Sequence, residues 1–306
     1  MPIDDLLALF LDGHASAGHS EATIEWYRYQ IRRFVSWLLA ANLHNGNWLK
    51  PEVIERYLAD SRRSGNAPAT VAGHYRALKV FFGWLVKRGY LPESPMDKIQ
   101  PPKVPHREPK RAVLGEYATL LDSIPADSWV GLRDRLIIST LFLCGVRRGE
   151  CARLRPEDYR TKEHLLYVDG KTGPRLVPML PSVERAFVAY LFIRPRWETD
   201  RLFIAANGAG NPAGVMTTGG IYQMLAFNER RIERRRCHHA GLRMLNPHSF
   251  RHGLAMLMLN ERGADMSLVQ KVLGHSQIST TAKHYAEWLT DGVLREFAEK
   301  MRGLGA

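Results

Sequence analysis

His248 and Arg251 stand three residues apart in Asn246-Pro-His-Ser-Phe-Arg-His252, behind a proline suited to the first position of a helix. On a helix that spacing puts an imidazole and a guanidinium on one face. The cation lowers the neighbouring imidazole's pKa and favours the neutral ring that accepts a proton. A second histidine, His275, follows Gly274, a glycine placed to close a helix, and Tyr285 lies on the next predicted helix. A phenol titrates near ~10, so Tyr285 acting as a nucleophile at neutral pH needs a base or a cationic site. Arg147 projects from the turn that Gly145 permits in Cys144-Gly-Val-Arg-Arg-Gly-Glu-Cys151. Each residue has an ordinary reading when taken singly: a solvated turn arginine, a packing tyrosine. His252 points off the shared face and reads as a packed or solvated histidine.

Other chemistries fit poorly. Gly170-Lys171-Thr172 suggests a nucleotide-binding loop, but the position where that motif needs its first glycine is Leu165. Cys237, His238 and His239 are adjacent, which rarely gives compatible metal-ligand directions, and no second ligand pair follows at finger-like spacing. A metal-dependent nuclease would want clustered carboxylates, and none sits beside the basic segments.

These residues need elements to hold them. Ile24, Tyr27, Ile31, Phe34 and Leu38 recur at three-and-four spacing and predict a helix over 20–42. Short and long helices follow at 51–60 and 69–87, the second stopped by Gly89. Prolines from Pro92 to Pro109 then break all periodicity. The chain divides into a helical bundle over 1–98, a basic proline-rich linker over 99–111, and a larger unit over 112–306. In that unit 133–144 is nearly all apolar and reads as a buried helix. HLLYVDG and RLVPML, joined by KTGP, read as a β-hairpin over 164–180. Helices resume at 182–193, around 220–236, and at 247–262 and 266–273, with a last pair at 279–289 and 291–302. The fold class is therefore mainly α with a small antiparallel sheet.

The chain has 306 residues, 45% of them hydrophobic, enough for two packed cores. Its net charge of +12 points to a polyanionic partner, since each cation set on a phosphate releases counterions. The run Asn228 to Cys237 carries Arg230, Arg231, Arg234, Arg235 and Arg236, a candidate DNA-contact helix whose ordinary reading is a solvated basic face. Three cysteines without framework spacing fit a reducing compartment. The opening lacks a signal-peptide pattern and no apolar run reaches the ~18–20 residues of a membrane span, so a cytoplasmic, nucleoid-associated protein without membrane contact is expected.

Taken in order, the segments resemble the catalytic domain of the tyrosine recombinase (phage integrase) family, and in size and layout the chain is similar to its Xer-type members. GVRRGE matches the first arginine box, PHSFRH the His-x-x-Arg box, LGHS with STT and HYAEW the closing box, and GKTGPRLVP the hairpin bearing the catalytic lysine. The N-terminal bundle resembles the family's core-binding domain, so the resemblance covers nearly the whole chain. It implies a site-specific DNA recombinase or integrase that forms a 3′-phosphotyrosyl bond at Tyr285, with no metal, ATP or other cofactor. Arg147, Arg251 and His275 would hold the phosphate, His248 would handle the tyrosine proton, Lys171 would protonate the leaving oxygen, and Glu150 would orient a neighbour. Tyr285 lies ten residues after His275, where many members place it nine after. The partner implied is double-stranded DNA held in a clamp. The assembly implied is a homotetramer on DNA, a monomer or weak dimer when free, with an accessory DNA-bending protein or second recombinase subunit as further partners. The tail after Tyr285, with Val293, Leu294, Phe297 and Met301 at helical spacing, would dock on a neighbouring subunit. Two alternatives share the pattern: a DNA-binding protein of the same fold without activity, and a type IB topoisomerase-like or hairpin-forming resolvase.

Overall fold

A computed structural model describes residues 2–43, 47–105, 111–170, 173–225, 237, 240–243, 245–264, 266–274 and 299–301. The chain forms two compact units, residues 1–107 and 108–306.

In the first unit, helix α1 spans Ile3–Ser16, α2 Glu21–Ala40, α3 Pro51–Arg63 and α4 Pro68–Lys87. Ser20 caps α2 by accepting from the Thr23 amide, and prolines open α3 and α4 where no amide hydrogen bond is lost. Phe10, Ile31, Phe34, Ile54, Phe81 and Phe82 are fully buried in the shared core. Burying each such side chain contributes about 2–3 kcal/mol. The helices at 20–42, 51–60 and 69–87 lie where their periodicity put them. Helix α1 was not foreseen, although Ile3, Leu6, Leu7, Phe10 and Leu11 follow the same rule. The proline-rich break also begins later than its composition suggests. Pro95–Lys98 forms a 3-10 turn, Met96 and Ile99 are buried in the bundle, and the Tyr75 hydroxyl donates to the Ile99 carbonyl (3.1 Å).

The second unit is built on α6 (Trp129–Leu143), which is buried along nearly its whole length and packs against α8 (Pro181–Ile193) and α10 (Pro247–Met256). Helix α5 (Leu114–Asp122) lays Tyr117 flat on Phe142, ring centres 4.5 Å apart. After α7 (Arg148–Arg153), strands β1 (Tyr159–Arg160), β2 (Leu165–Gly170) and β3 (Gly173–Pro178) form an antiparallel sheet in that order. Strands β2 and β3 pair in register from Leu165↔Pro178 to Gly170↔Gly173. A second hairpin, β4 (Ile204–Ala206) with β5 (Pro212–Val215), precedes α9 (Thr218–Leu225). Helix α10 runs on into a π-helical turn, Leu257–Glu261, and α11 (Met266–Leu273) ends at Gly274, whose φ of 63° suits only glycine without strain. Helix α5 and the second hairpin were not anticipated. The expected helices over 279–289 and most of 291–302 fall outside the described residues. Of that tail, residues 299–301 are described: Met301 is buried in the core of its own unit, and the Lys300 ammonium donates to the Gly263 carbonyl (2.9 Å). The described part of the tail thus packs on its own chain. No described helix is long and apolar enough to cross a membrane.

Candidate active site: an arginine cluster at the end of α11

The turn after α6 places Arg147. Gly145 takes φ 59°, and a Cβ there would lie 2.6 Å from Leu273 and 2.8 Å from Leu254, so conformation and packing both require glycine. Two residues on, Arg147 occupies the N-cap of α7. Glu150, at the third helical position, turns back to accept the Arg147 amide (2.8 Å), half of a capping box. Its other oxygen accepts from the Arg147 guanidinium (2.7 Å).

A third arginine, not singled out from the sequence, completes this arrangement. Arg175, buried on β3, grips Glu150 with both nitrogens of its fork, at 3.0 and 2.7 Å. Burial would raise the Glu150 pKa, but the bonds from Arg175, with its charge, and those from Arg147 outweigh it and hold the carboxyl at about 2. The sequence offered one signal for Arg175: a cation inside the apolar run of β3, with a lone acid in the basic segment GVRRGE to meet it.

Arg251 comes from the first turns of α10, whose start is fixed by a capping box between Asn246 and Ser249, 3.0 Å each way. It is buried and donates to the Gly145 carbonyl (2.6 Å) and to the Leu273 carbonyl. Burial, then the nearby guanidiniums of Arg147 and Arg175, push its pKa down to about 9, so it remains a cation at neutral pH. The C-terminal carbonyls of α11 thus meet three arginines from three separate elements. Val272 faces the Arg175 Nε (3.4 Å), Leu273 faces Arg251, and Gly274 faces Arg147 (2.9 Å). Unpaired carbonyls at a helix end carry partial negative charge and favour cations. Three guanidiniums around one carboxylate leave two positive charges at a site where only Arg147 is part-exposed.

His248 is exposed on α10, beside this cluster. Its pKa is lowered by partial desolvation first, then by Arg148, His252, Arg251 and Arg147. The expected influence of Arg251 is present, but burial and Arg148 outrank it. Arg147, Glu150, Arg251 and His248 are therefore brought together. Lys171, His275, Tyr285 and the arginines Arg230, Arg231, Arg234, Arg235 and Arg236 lie outside the described residues. The backbone neighbours of two of these are at the cluster: a Cβ on Gly170, before Lys171, would sit 2.6 Å from the Glu150 carboxylate, and one on Gly274, before His275, 2.8 Å from the Arg175 side chain. Among the described residues no group of three His, Cys, Asp or Glu is placed to hold a metal ion.

The first unit carries a feature that the sequence reading passed over. Arg28, Arg32 and Arg33 of α2 line a surface groove with Tyr29, Glu25 and Ser36. Arg33 donates to the Tyr29 hydroxyl (3.0 Å) and lies over its ring at 5.7 Å.

Comparison with known proteins bears on both units. The profile described as the phage integrase family matches residues 115–290, and that of the phage integrase N-terminal SAM-like domain matches residues 9–89. The tyrosine recombinase XerA of Thermococcus onnurineus is 31% identical over 288 residues, 93% of this chain and 91% of that protein. The tyrosine recombinase XerD of Listeria innocua is 29% identical over 289 residues, 91% of each. In fold, the chain is similar to a lambda integrase dimer bound to a COC′ core site (TM-score 0.67, 18% identity, 90% of this chain and 96% of that one). It is also similar to the Tn1549 transposon integrase in complex with transposon right end DNA (TM-score 0.66, 19% identity, 98% and 99%).

Proposed function

The chain belongs to the phage integrase family and is a tyrosine site-specific recombinase, and on that premise we propose that it cleaves and rejoins double-stranded DNA through Tyr285. The observation that carries this reading is the convergence of Arg147, Arg175 and Arg251 on the end of α11, with Glu150 bridging the first two, one residue before His275. Attack on a phosphodiester concentrates negative charge on the non-bridging oxygens. A site with two uncompensated guanidinium charges, oriented before the reaction, stabilises that charge more than it stabilises the ground state. A guanidinium has five N–H groups, and the bonds described use two on Arg147 and two on Arg251, which leaves donors for phosphate oxygens.

In this mechanism the Tyr285 oxygen bonds to phosphorus and the bond to the 5′ oxygen breaks. The products are a 3′-phosphotyrosyl enzyme and a free 5′-hydroxyl. His248, kept neutral near pH 7, accepts the phenol proton, and Lys171 donates one to the departing oxygen. His275 contributes a further donor to the phosphate. Attack by the 5′-hydroxyl of another strand reverses these steps. One phosphodiester is exchanged for another, so ATP has no part, and the guanidiniums supply the positive charge without calling on a metal ion. Arg230, Arg231, Arg234, Arg235 and Arg236, with the groove of Arg28, Arg32 and Arg33, are proposed to hold the DNA backbone. The active assembly is proposed as a homotetramer on DNA in the cytoplasm, where three buried free thiols stay reduced.

The test mixes the protein, in EDTA, with nicked duplexes drawn from the DNA flanking its own gene. The nick lets the 5′ fragment diffuse away and traps the covalent product. A protein–DNA adduct on a denaturing gel that disappears in Tyr285→Phe is the expected result. An adduct that persists in Tyr285→Phe, or that needs a divalent ion, sinks the mechanism.

A further inference from the structure

We propose that Arg175 is a positioning residue that, through its ion pair with Glu150, sets Arg147, Lys171 and His275 in register as one unit. The proposal rests on the recombinase reading and adds to it a residue that acts from beneath the site.

The pair is buried, with side chains 8% and 2% exposed, and it touches the backbone next to each of the three groups. Glu150 holds Arg147 twice, by its amide and by its guanidinium. Gly170, the residue before Lys171, packs so closely on the pair that a Cβ would lie 2.6 Å from the Glu150 oxygen and 3.2 Å from the Arg175 nitrogen. Gly274, the residue before His275, packs on the Arg175 stem, and the Arg175 Nε faces the Val272 carbonyl two residues further back. These segments come from the α7 turn, the hairpin and the end of α11. Nothing in their local sequence can align them with one another. A planar fork is needed for this. It bonds both carboxylate oxygens at once and still directs Nε at a carbonyl, whereas a lysine ammonium brings the charge without the geometry.

The test compares wild type, Arg175→Lys and Gly170→Ala on a nicked duplex that wild type cleaves, and on the same duplex with sulfur in place of the 5′-bridging oxygen. A thiolate departs without a proton, so the sulfur duplex bypasses Lys171 but not the phosphate-holding arginines. Arg175→Lys is expected to bind the duplex within about threefold of wild type and to cleave it about 10²-fold more slowly. About tenfold of that loss should return on the sulfur duplex, as the share due to Lys171. Gly170→Ala keeps both charges of the ion pair, but its Cβ must push the backbone before Lys171 and the Glu150 carboxylate apart, so the larger part of its loss should return; it also serves if Arg175→Lys does not fold. Cleavage by Arg175→Lys at the wild-type rate overturns the proposal. So does an equal loss on both duplexes, because a merely structural defect makes no distinction between leaving groups. Tyr285→Phe tests the enzyme reading separately, since it must abolish the adduct on both duplexes.

Discussion

Glu150 is an acid that its neighbours hold ionised against the cost of burial. Its folded pKa is about 2 and its ordinary value is 4.5. The unfolded chain therefore takes up the proton first as pH falls. The stabilisation is full above about 4.5 and is lost as pH drops towards 2. Integrated over that interval, it amounts to about 3 kcal/mol. Chemical denaturation of wild type and Glu150→Gln should show the gap between them narrowing as pH is lowered from 5 to 3, and a gap independent of pH would contradict the assignment. His248 gives the opposite kind of pH signal, in rate rather than stability. Its pKa lies below 6.5, and the proton-accepting form is the neutral ring. Single-turnover cleavage should be flat above pH 7 and fall on the acid side of 6.5. His248→Ala should be about 10²-fold slower and lose that acid limb. A wild-type rate in the variant would remove His248 from the mechanism. Both residues were singled out from the sequence, His248 by its three-residue spacing from Arg251 on one helix face and Glu150 by its place in the segment that resembles the family's first arginine box. Arg175 was not, because its partner lies 25 residues away and the two meet only when the hairpin folds back on α7.

The helices that the sequence revealed are those whose burial shows as a period. In α2 and α4 the apolar stripe is continuous, and in α6 apolar residues on every side announce a helix with no exposed face. Helix α5 is nine residues long with two buried side chains, too little pattern to stand out. The short β4–β5 hairpin is a three-residue strand against a four-residue strand, with a register shift between them. What aligns the site-bearing elements is close backbone approach, which no periodicity reports. The chain before α5 crosses α10 at Gly253, where a Cβ would lie 2.1 Å from the Ala112 carbonyl, and the Ala112 amide donates to the Ser249 carbonyl (2.8 Å). Gly253→Ala must push α10, and with it Arg251, away from the crossing segment. A loss of about 1–3 kcal/mol is expected. Gly149 in α7 is the contrast: its nearest neighbour would be an arginine end 3.5 Å away, and its φ is not positive. Gly149→Ala should be neutral or gain up to about 1 kcal/mol from helix propensity. Thermal unfolding of the two variants side by side decides the matter. Equal effects would mean that the crossing is not tight.

The whole chain carries a net charge of +12, and the described structure distributes part of it purposefully: three guanidiniums are drawn inward at the α11 end, and others line the outer groove of α2. Charge used inward and charge used outward should differ in what they do to DNA binding. A cation that lies on a phosphate releases about 0.9 of a counterion from duplex DNA, so it appears in the slope of log K against log salt. A buried cation held by a carboxylate and backbone carbonyls displaces none until phosphate enters the site. Replacing Arg28, Arg32 and Arg33 together by glutamine should therefore weaken binding at every DNA sequence alike and flatten the salt slope by up to about 3. The cleavage rate at saturating DNA should stay at the wild-type value, since the three belong to the first unit and the arginine cluster is built wholly from residues of the second. Arg175→Lys should behave in the reverse sense, with its salt slope unchanged and its cleavage impaired. Binding isotherms between 50 and 300 mM salt, paired with single-turnover rates, separate the two sets. An unchanged slope in the triple variant would place the α2 groove off the DNA and leave the run Arg230 to Arg236 as the main outer contact. A slope that falls together with the cleavage rate would instead mean that docking at α2 helps to set the catalytic geometry.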